Sequence, residues 1–452
     1  MKYLHIHRGN PLCGVVKVPG DKSISHRALL LSALASGMSR ISNFLHSHDC
    51  LATQACLQAM GIEIEVDQQN DDSHLGSSFD DFRSSLKVFG QGLHGLHRPA
   101  LMLNCVRSGT TMRLLTGMLA GQSFDCILTG DIQLKRRPME RVAEPLRHMG
   151  AKIDTFEGHA PLYIQGQRLS GIHHNLAIAS AQVKSAILLA GLYAQGTTTV
   201  RLPSPTRDHT ERMLSLMGVK LESRDTLTTL EPTDSLSPIS REDEYFRIPG
   251  DISSAAFLLV AAIIIPNSEI NIEGVGINPT RMGLLDVLRE MGANIRVEEV
   301  AYKSTVACEP SGNMTGRASA LRGVEIKGDT VVRMIDEFPI LAVAATQAYG
   351  STIVHDASEL RVKETDRIAN IVSELRKMGA KIEPLPDGFI VEGRTPLKGA
   401  NVNSYGDHRL AMALAVAGLI AEQEVFIEDI ECINDSFPGF VQIMQKLGAD
   451  YE

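Results

Sequence analysis

Apolar and polar positions along this 452-residue chain fall into two helical patterns that recur in step. The first is amphipathic and stops at a glycine, as in Leu57-Gln58-Ala59-Met60-Gly61 and Leu375-Arg376-Lys377-Met378-Gly379. It returns at Met149-Gly150, Met217-Gly218 and Met291-Gly292, and with leucine in place of methionine at Leu447-Gly448. Apolar residues at helical spacing followed by glycine predict a helix closed by a left-handed cap, and most copies lead into a β-branched stretch that predicts a strand. The methionines are read as core fillers at helix ends. Spacings of roughly 70–90 residues are long for a solenoid repeat and suit a compact mixed α/β unit.

The second pattern is apolar on nearly every face, as in Ala186-Ile187-Leu188-Leu189-Ala190-Gly191, and predicts buried helices. Its six copies start at Lys22-Ser23, Ser108-Gly109-Thr110, Ser180-Ala181-Gln182, Asp251-Ile252-Ser253-Ser254, Asp336-Glu337 and Gly406-Asp407-His408-Arg409. Free N–H groups and the dipole favour anions at a helix start, so buried helices presenting such ends at one surface predict an anion site. N-capping accounts for Thr110, Asp251, Ser253 and Ser254. It does not account for Lys22, Arg27, Arg113, Lys184 or Arg409, because a cation there opposes the dipole. The same segments hold no matching surplus of acids, which points to an anionic ligand. Two polar stretches interrupt the pattern. Glu222–Glu244 is read as the link between two halves of three copies each. Asp67–Pro99, with Asn70-Asp71-Asp72-Ser73-His74 inside it, is read as surface loop.

Length and composition add bounds. A chain of 452 residues predicts two domains, and 44% hydrophobic with 21% charged residues describes an ordinary globular protein. A net charge of −9 argues against a nucleic-acid partner, which would want a basic surface. Seven cysteines without a CxxC pair read as reduced thiols with no zinc framework. Apolar stretches such as Ala255–Pro266 are too short to span a bilayer and no signal segment opens the chain, so a cytoplasmic protein is expected.

The densest charge pattern is Arg361-Val362-Lys363-Glu364-Thr365-Asp366-Arg367, three cations and two carboxylates between an apolar strand and an apolar helix. If the run enters that helix at Lys363, then Lys363 and Arg367 share a face with Glu364 about a third of a turn away. Cations beside a carboxylic acid suit an anionic substrate that must also receive a proton. A solvated charged face is the ordinary alternative.

Further motifs occur in order from about Leu12 onwards: Gly20-Asp21-Lys22-Ser23 with Arg27, Leu103-Asn104, Ser108-Gly109-Thr110-Thr111-Met112-Arg113, Arg136-Arg137-Pro138, Lys363–Arg367 and Asp407-His408-Arg409. As a set they resemble the 5-enolpyruvylshikimate-3-phosphate synthase family. Ser180-Ala181-Gln182-Val183-Lys184 and Arg207-Asp208-His209-Thr210-Glu211 are similar to its second sequence class. The resemblance implies transfer of the enolpyruvyl group of phosphoenolpyruvate to the 5-hydroxyl of shikimate 3-phosphate, with release of phosphate and no metal or cofactor. It also implies an α/β fold: a two-domain inside-out α/β barrel of six βαβαββ repeats whose buried helices point at an interdomain cleft. The implied domains are 1–20 plus 241–452, and 21–240. A monomer is expected.

Carried over position by position, Lys22 reaches both substrates and joins the catalytic set; Ser23, Arg27, Ser180, Ala181, Gln182 and Lys363 hold shikimate 3-phosphate, and Arg207 is a further substrate-binding residue. Gly109, Arg137, Arg367 and Arg409 clamp phosphoenolpyruvate, with Gln182 nearby, and arginine is the residue suited to bidentate contacts with carboxylate and phosphate. Asp336 takes the place of the base at the 5-hydroxyl, and Glu364 that of the proton donor to the methylene carbon. Two positions depart from the family's best-known pattern. Arg107 stands where asparagine is common, and Asn434-Asp435-Ser436 lacks a lysine that many members place on phosphoenolpyruvate.

Other readings are weaker. A nucleotide P-loop fails because Asp21 interrupts the Gly-Lys step. The sister enzyme acting on UDP-N-acetylglucosamine would show Lys-Asn at Lys22-Ser23 and a reactive loop cysteine, whereas Cys126 lies in an apolar stretch that predicts a strand with a buried thiol. A non-enzymatic scaffold would scatter its helix-start cations and pair each separately. His46/His48, His94/His97 and His173/His174 lack accompanying carboxylates and are read as surface histidines.

Overall fold

The computed structural model describes residues 3–67, 83–241, 243–301 and 305–452. They form two compact units, one made of residues 3–19, 249–301 and 310–452, the other of residues 20–248 and 305–309.

In the second of these units three helices form the interior: Lys22–Ala33, Gly109–Ala120 and Ala181–Gly191, each buried over most of its length. Their starts are fixed by Asp21, Ser108 and Ser180, whose side chains accept the N–H of Ile24 (2.9 Å), Thr111 (3.1 Å) and Val183 (3.4 Å). The Gly109 and Ala181 helices cross at Gly117, where a Cβ would stand 2.1 Å from the carbonyl oxygen of Ala186. Only glycine permits that approach.

Around these helices, among the described residues, lie three sheets of four or five strands, besides the two-stranded pair Leu169–Ser170 and Ala194–Gln195. One runs in the order Thr305–Val306, Tyr245–Arg247, Ser36–Leu45, Arg83–Gln91, Glu63–Val66. The next follows Leu103–Asn104, Asp125–Thr129, His159–Gln165, Lys152–Phe156, and the third His173–Asn175, Thr198–Arg201, Leu227–Leu230, Leu221–Arg224. In the last two, a parallel pair is followed by two antiparallel pairings.

The other unit is built alike. Its apolar helices are Ile252–Ile264, Phe338–Thr346 and His408–Gly418. Strands Cys13–Lys17, Glu269–Gly276, Ser311–Arg317 and Asn294–Glu299 form one sheet, and Glu325–Ile326, Gly350–Val354, Gly388–Gly393 and Lys381–Leu385 another. Three further strands pair as Asn401–Asn403, Val425–Glu428, Tyr3–Ile6.

Six amphipathic helices end at the glycines that the periodicity marks. Gly61, Gly150, Gly218, Gly292, Gly379 and Gly448 all have φ between +85° and +111°, the left-handed region that costs a side chain and is free to glycine. The methionines before the first five are fully or almost fully buried.

The two polar stretches hold strands as well as loops. In Asp67–Pro99, Arg83–Gln91 is a strand paired on both edges, with Leu86 and Val88 in the core; Asn70–His74 lies outside the described residues. In Glu222–Glu244, strands Leu221–Arg224 and Leu227–Leu230 form a hairpin. Polar residues fill the solvent face of such strands, so composition hides them. Cys126 lies in its strand, and burial pushes its thiol up to about 12. No helix among the described residues is long and apolar enough to cross a membrane.

Candidate active site

The starts of the buried helices carry the expected cations, and the structure supplies partners the sequence does not suggest. Lys22 Nζ stands 3.0 Å from Asp49 Oδ2, on the first turn of the helix His48–Ala59. Lys184 pairs with Glu211, both buried. These acids come from segments far along the chain, so the missing charge near the cations is made up by tertiary contacts. The lack of acids within the same segments therefore does not by itself point to a ligand at Lys22 and Lys184.

Arg27, one turn beyond Ser23, is buried among neutral acceptors. It donates to Thr210 Oγ1 (2.7 Å), the Ser23 carbonyl (2.9 Å) and Ser185 Oγ (2.8 Å). Burial pushes its pKa down to about 10, against the pull of Glu211 and Asp21, so the guanidinium is still charged at neutral pH.

At the start of the next buried helix, Gly109 carries two guanidiniums over its Cα. A Cβ there would stand 2.7 Å from Arg137 Nη1 and 2.9 Å from Arg113 Nη1. Arg113 donates to Gln182 Oε1 (2.6 Å), and Gln182 Nε2 donates to Thr110 Oγ1 (2.9 Å). Gly109, Arg113, Arg137 and Gln182 are therefore one cluster. Behind it runs a chain of hydroxyls, Ser108 to Thr111 (2.7 Å), Thr111 to Thr53 (2.6 Å), and Thr53 to His26 (2.7 Å). His26 is fully buried, which holds its pKa well below 6.5, as do the charges of Lys22 and Arg27. Ser180 and Ala181 are half-buried at the start of their own helix, and Arg207 is half-buried just before the helix His209–Leu216. Arg107 donates to Gln133 Oε1 at 2.7 Å.

In the other unit the charged run does not enter the helix at Lys363. Residues Ser358–Val362 form a 3-10 turn, and the α-helix begins at Arg367, capped by Asp366 accepting the Ala369 N–H at 2.9 Å. The cap takes precedence over the charge spacing, so Lys363 and Glu364 stand on the connection before the helix. Lys363 and Arg367 do not share a helical face.

Arg367 becomes the hub instead. Its Nε donates to Asp407 Oδ2 (2.8 Å), Nη2 to Glu364 Oε2 (2.6 Å) and Nη1 to Asp336 Oδ1 (3.4 Å). Burial opposes its charge, yet the carboxylates of Asp407, Glu364 and Asp336 raise its pKa above the usual arginine value. Arg409, on the first turn of its own helix, lies 4.0 Å from the other oxygen of Asp336. Asp407 caps that helix, accepting the Arg409 N–H at 2.9 Å. Asp336, Glu364, Arg367 and Arg409 are thus brought together around an aspartate not chosen from the sequence as a site residue. Asp407, like Asp49, reads locally as an ordinary helix cap; only the fold shows its partner. Asp435 is buried in the 3-10 turn Ile430–Asp435.

The expectation that the paired histidines all lie at the surface fails for His174. It is buried in the strand His173–Asn175, and burial, with His148 and His173 nearby, pushes its pKa down to about 4.

Fold and groups together describe an α/β protein with buried cations and carboxylates gathered at the starts of apolar helices, an arrangement suited to anionic ligands. At 19% identity and a TM-score of 0.79, with 100% of this chain and 98% of the other covered, the fold is that of the enolpyruvyl transferase NikO from Streptomyces tendae. Closer likenesses narrow the class. The model of EPSP synthase (3-phosphoshikimate 1-carboxyvinyltransferase) matches residues 6–444. The 3-phosphoshikimate 1-carboxyvinyltransferase of Desulforamulus reducens is 48% identical over 441 residues, covering 96% of this chain and 97% of the relative. The structure of EPSP synthase from Acinetobacter baumannii superposes with a TM-score of 0.84 at 41% identity, covering 100% and 99%. The chain belongs to the EPSP synthase family, enzymes of the shikimate pathway that transfer the enolpyruvyl group of phosphoenolpyruvate to shikimate 3-phosphate.

Proposed function

We propose that the residues carried over from the family perform its reaction in this chain. Lys22, Ser23, Arg27, Ser180, Ala181, Gln182 and Lys363 bind shikimate 3-phosphate; Lys22, Gly109, Arg137, Arg367 and Arg409 bind phosphoenolpyruvate, and Arg207 is a further substrate-binding residue. Asp336 takes the 5-hydroxyl proton as the oxygen attacks the central carbon, and Glu364 gives a proton to the methylene carbon. Glu364 then takes a proton back from the methyl group so formed, the C–O bond to phosphate breaks, and the enol ether double bond forms as phosphate leaves.

The observation that carries the proposal is that one guanidinium, Arg367, touches both carboxylates assigned to proton transfer, at 3.4 Å and 2.6 Å. An arriving substrate carboxylate competes with Glu364 for Arg367 Nη2. Glu364, released from its cation, is then the group that accepts and passes on a proton. Asp336 keeps the second guanidinium, that of Arg409, and works ionised.

The finer architecture is part of the same reading: six βαβαββ repeats in an inside-out α/β barrel, with domains 1–20 plus 241–452, and 21–240. Three apolar helices and three glycine-terminated helices in each unit support it. The same reading takes the enzyme as monomeric and cytoplasmic, and a net charge of −9 supports the absence of a nucleic-acid partner.

The deciding experiment is phosphate release from phosphoenolpyruvate with shikimate 3-phosphate or UDP-N-acetylglucosamine as acceptor. Release that depends on shikimate 3-phosphate alone is expected, and release only with the sugar nucleotide overturns the substrate. D336N and E364Q are each expected to lower kcat by about 10²–10⁴ with thermal unfolding little changed. Wild-type kcat in either variant removes that residue from its role.

A further inference from the structure

His5 and His7 take no part in the chemistry above, yet both rings face carboxylates on each side. The strand Tyr3–Ile6 runs antiparallel to Val425–Glu428, with His5 opposite Phe426. On its other edge, the His5 N–H donates to the Glu452 carbonyl (2.9 Å) and the His5 carbonyl accepts the Glu452 N–H (2.8 Å). Ile6 is fully buried, so strand alternation turns His5 and His7 to the opposite face. Glu452 and Glu424 meet them there.

The distances have a metal-site form. His5 Nδ1 and His7 Nε2 lie 3.5 and 3.7 Å from the same oxygen, Glu452 Oε2. One ligand atom from each of these three residues falls within 4.8 Å of the others. Tetrahedral coordination with bonds of about 2.0–2.2 Å spaces neighbouring ligand atoms about 3.3–3.6 Å apart. Glu424 stands at the opposite nitrogens, 3.1 Å from His5 Nε2 and 3.4 Å from His7 Nδ1. A carboxylate behind each ligating imidazole is the usual second partner in such sites.

The His5 ring is held in place by stacking on Phe426, with ring centroids 4.2 Å apart and planes 9° apart. The two carboxylates beside the imidazole ligands match the charge of one divalent ion. Nitrogen donors favour zinc, cobalt, nickel or copper over magnesium or calcium.

We propose that His5, His7 and Glu452 bind one divalent transition-metal ion, with Glu424 orienting both imidazoles. The ion clasps the strand Tyr3–Ile6 to the segments that flank it. It is a structural site, and none of its residues is assigned to catalysis.

Metal-stripped full-length protein titrated with zinc chloride by calorimetry, and with cobalt chloride by visible absorption, tests this. Saturable one-to-one uptake with proton release and a raised Tm is expected. His7→Ala and Glu452→Gln should weaken uptake at least about 100-fold, and Glu424→Gln about 10–100-fold, while His97→Ala, at an exposed histidine elsewhere, changes nothing. No saturable uptake by the wild type would mean that the four groups form only histidinium–carboxylate pairs, and the proposal fails. Uptake that survives both His7→Ala and Glu452→Gln would mean adventitious binding, and the proposal fails equally. Phosphate release measured on the same variants should stay at the wild-type rate, which separates this test from that of the active site.

Discussion

At Gly109 the neighbours of an added methyl group would be the tips of two arginines, Arg137 and Arg113, at 2.7 and 2.9 Å. Both are ends of flexible side chains, and the backbone there is not in the left-handed region, so the fold absorbs an alanine by moving the guanidiniums. Their displacement, a few tenths of an ångström to about 1 Å, falls on groups whose value lies in their placement. Gly109→Ala is therefore expected to raise KM for phosphoenolpyruvate about tenfold or more while leaving Tm and the KM for shikimate 3-phosphate nearly unchanged. Steady-state kinetics with each substrate varied in turn checks this. An equal rise in both KM values would show that the two guanidiniums do not serve one substrate. Residue-level chemistry was visible in the sequence as residue types at helix starts. Its pairing was not, because Asp49, Glu211 and Asp407 reach Lys22, Lys184 and Arg367 only through the fold.

Among elements, the glycine-ended helices were legible because period and cap agree, and both are local signals. The start of the Arg367 helix was not, because charge spacing and capping compete there and a single hydrogen bond to Asp366 decides. The strand Arg83–Gln91 was hidden for another reason: its buried Leu86 and Val88 alternate within a stretch whose flanks are polar. His174 carries a consequence of the same kind. Its strand buries it, and the pKa near 4 means that the folded chain refuses a proton which the unfolded chain binds below about 6.5. Stability is thus full above pH 6.5 and is lost as pH falls toward 4. His174→Gln should lose less stability than the wild type across that window and match its slope above it, as read from urea unfolding at stepped pH. His26, also held well below 6.5, adds to the remaining acid sensitivity.

Over the whole molecule, the seven cysteines report on global unfolding. All are free, Cys13 is exposed, and Cys50, Cys56, Cys105, Cys126 and Cys432 are buried. A thiol reagent is expected to modify Cys13 rapidly in the native protein, and all seven only in step with loss of helical signal in denaturant. Early modification of the buried thiols would reveal local opening of the core. The two units differ in how the chain makes them. Residues 20–248 are nearly contiguous, whereas the other unit draws its first strands from the opening of the chain and their partners from far beyond. Cys13–Lys17 pairs in parallel with Glu269–Gly276, and Tyr3–Ile6 antiparallel with Val425–Glu428. On a ribosome adding about 5–20 residues per second, those opening strands wait on the order of tens of seconds for partners not yet made. During that time Leu4, Ile6, Val16 and Val18, all destined for the core, are exposed on unpaired backbone. The nascent chain is therefore most open to chaperones at its beginning, while the unit made in the middle has already folded.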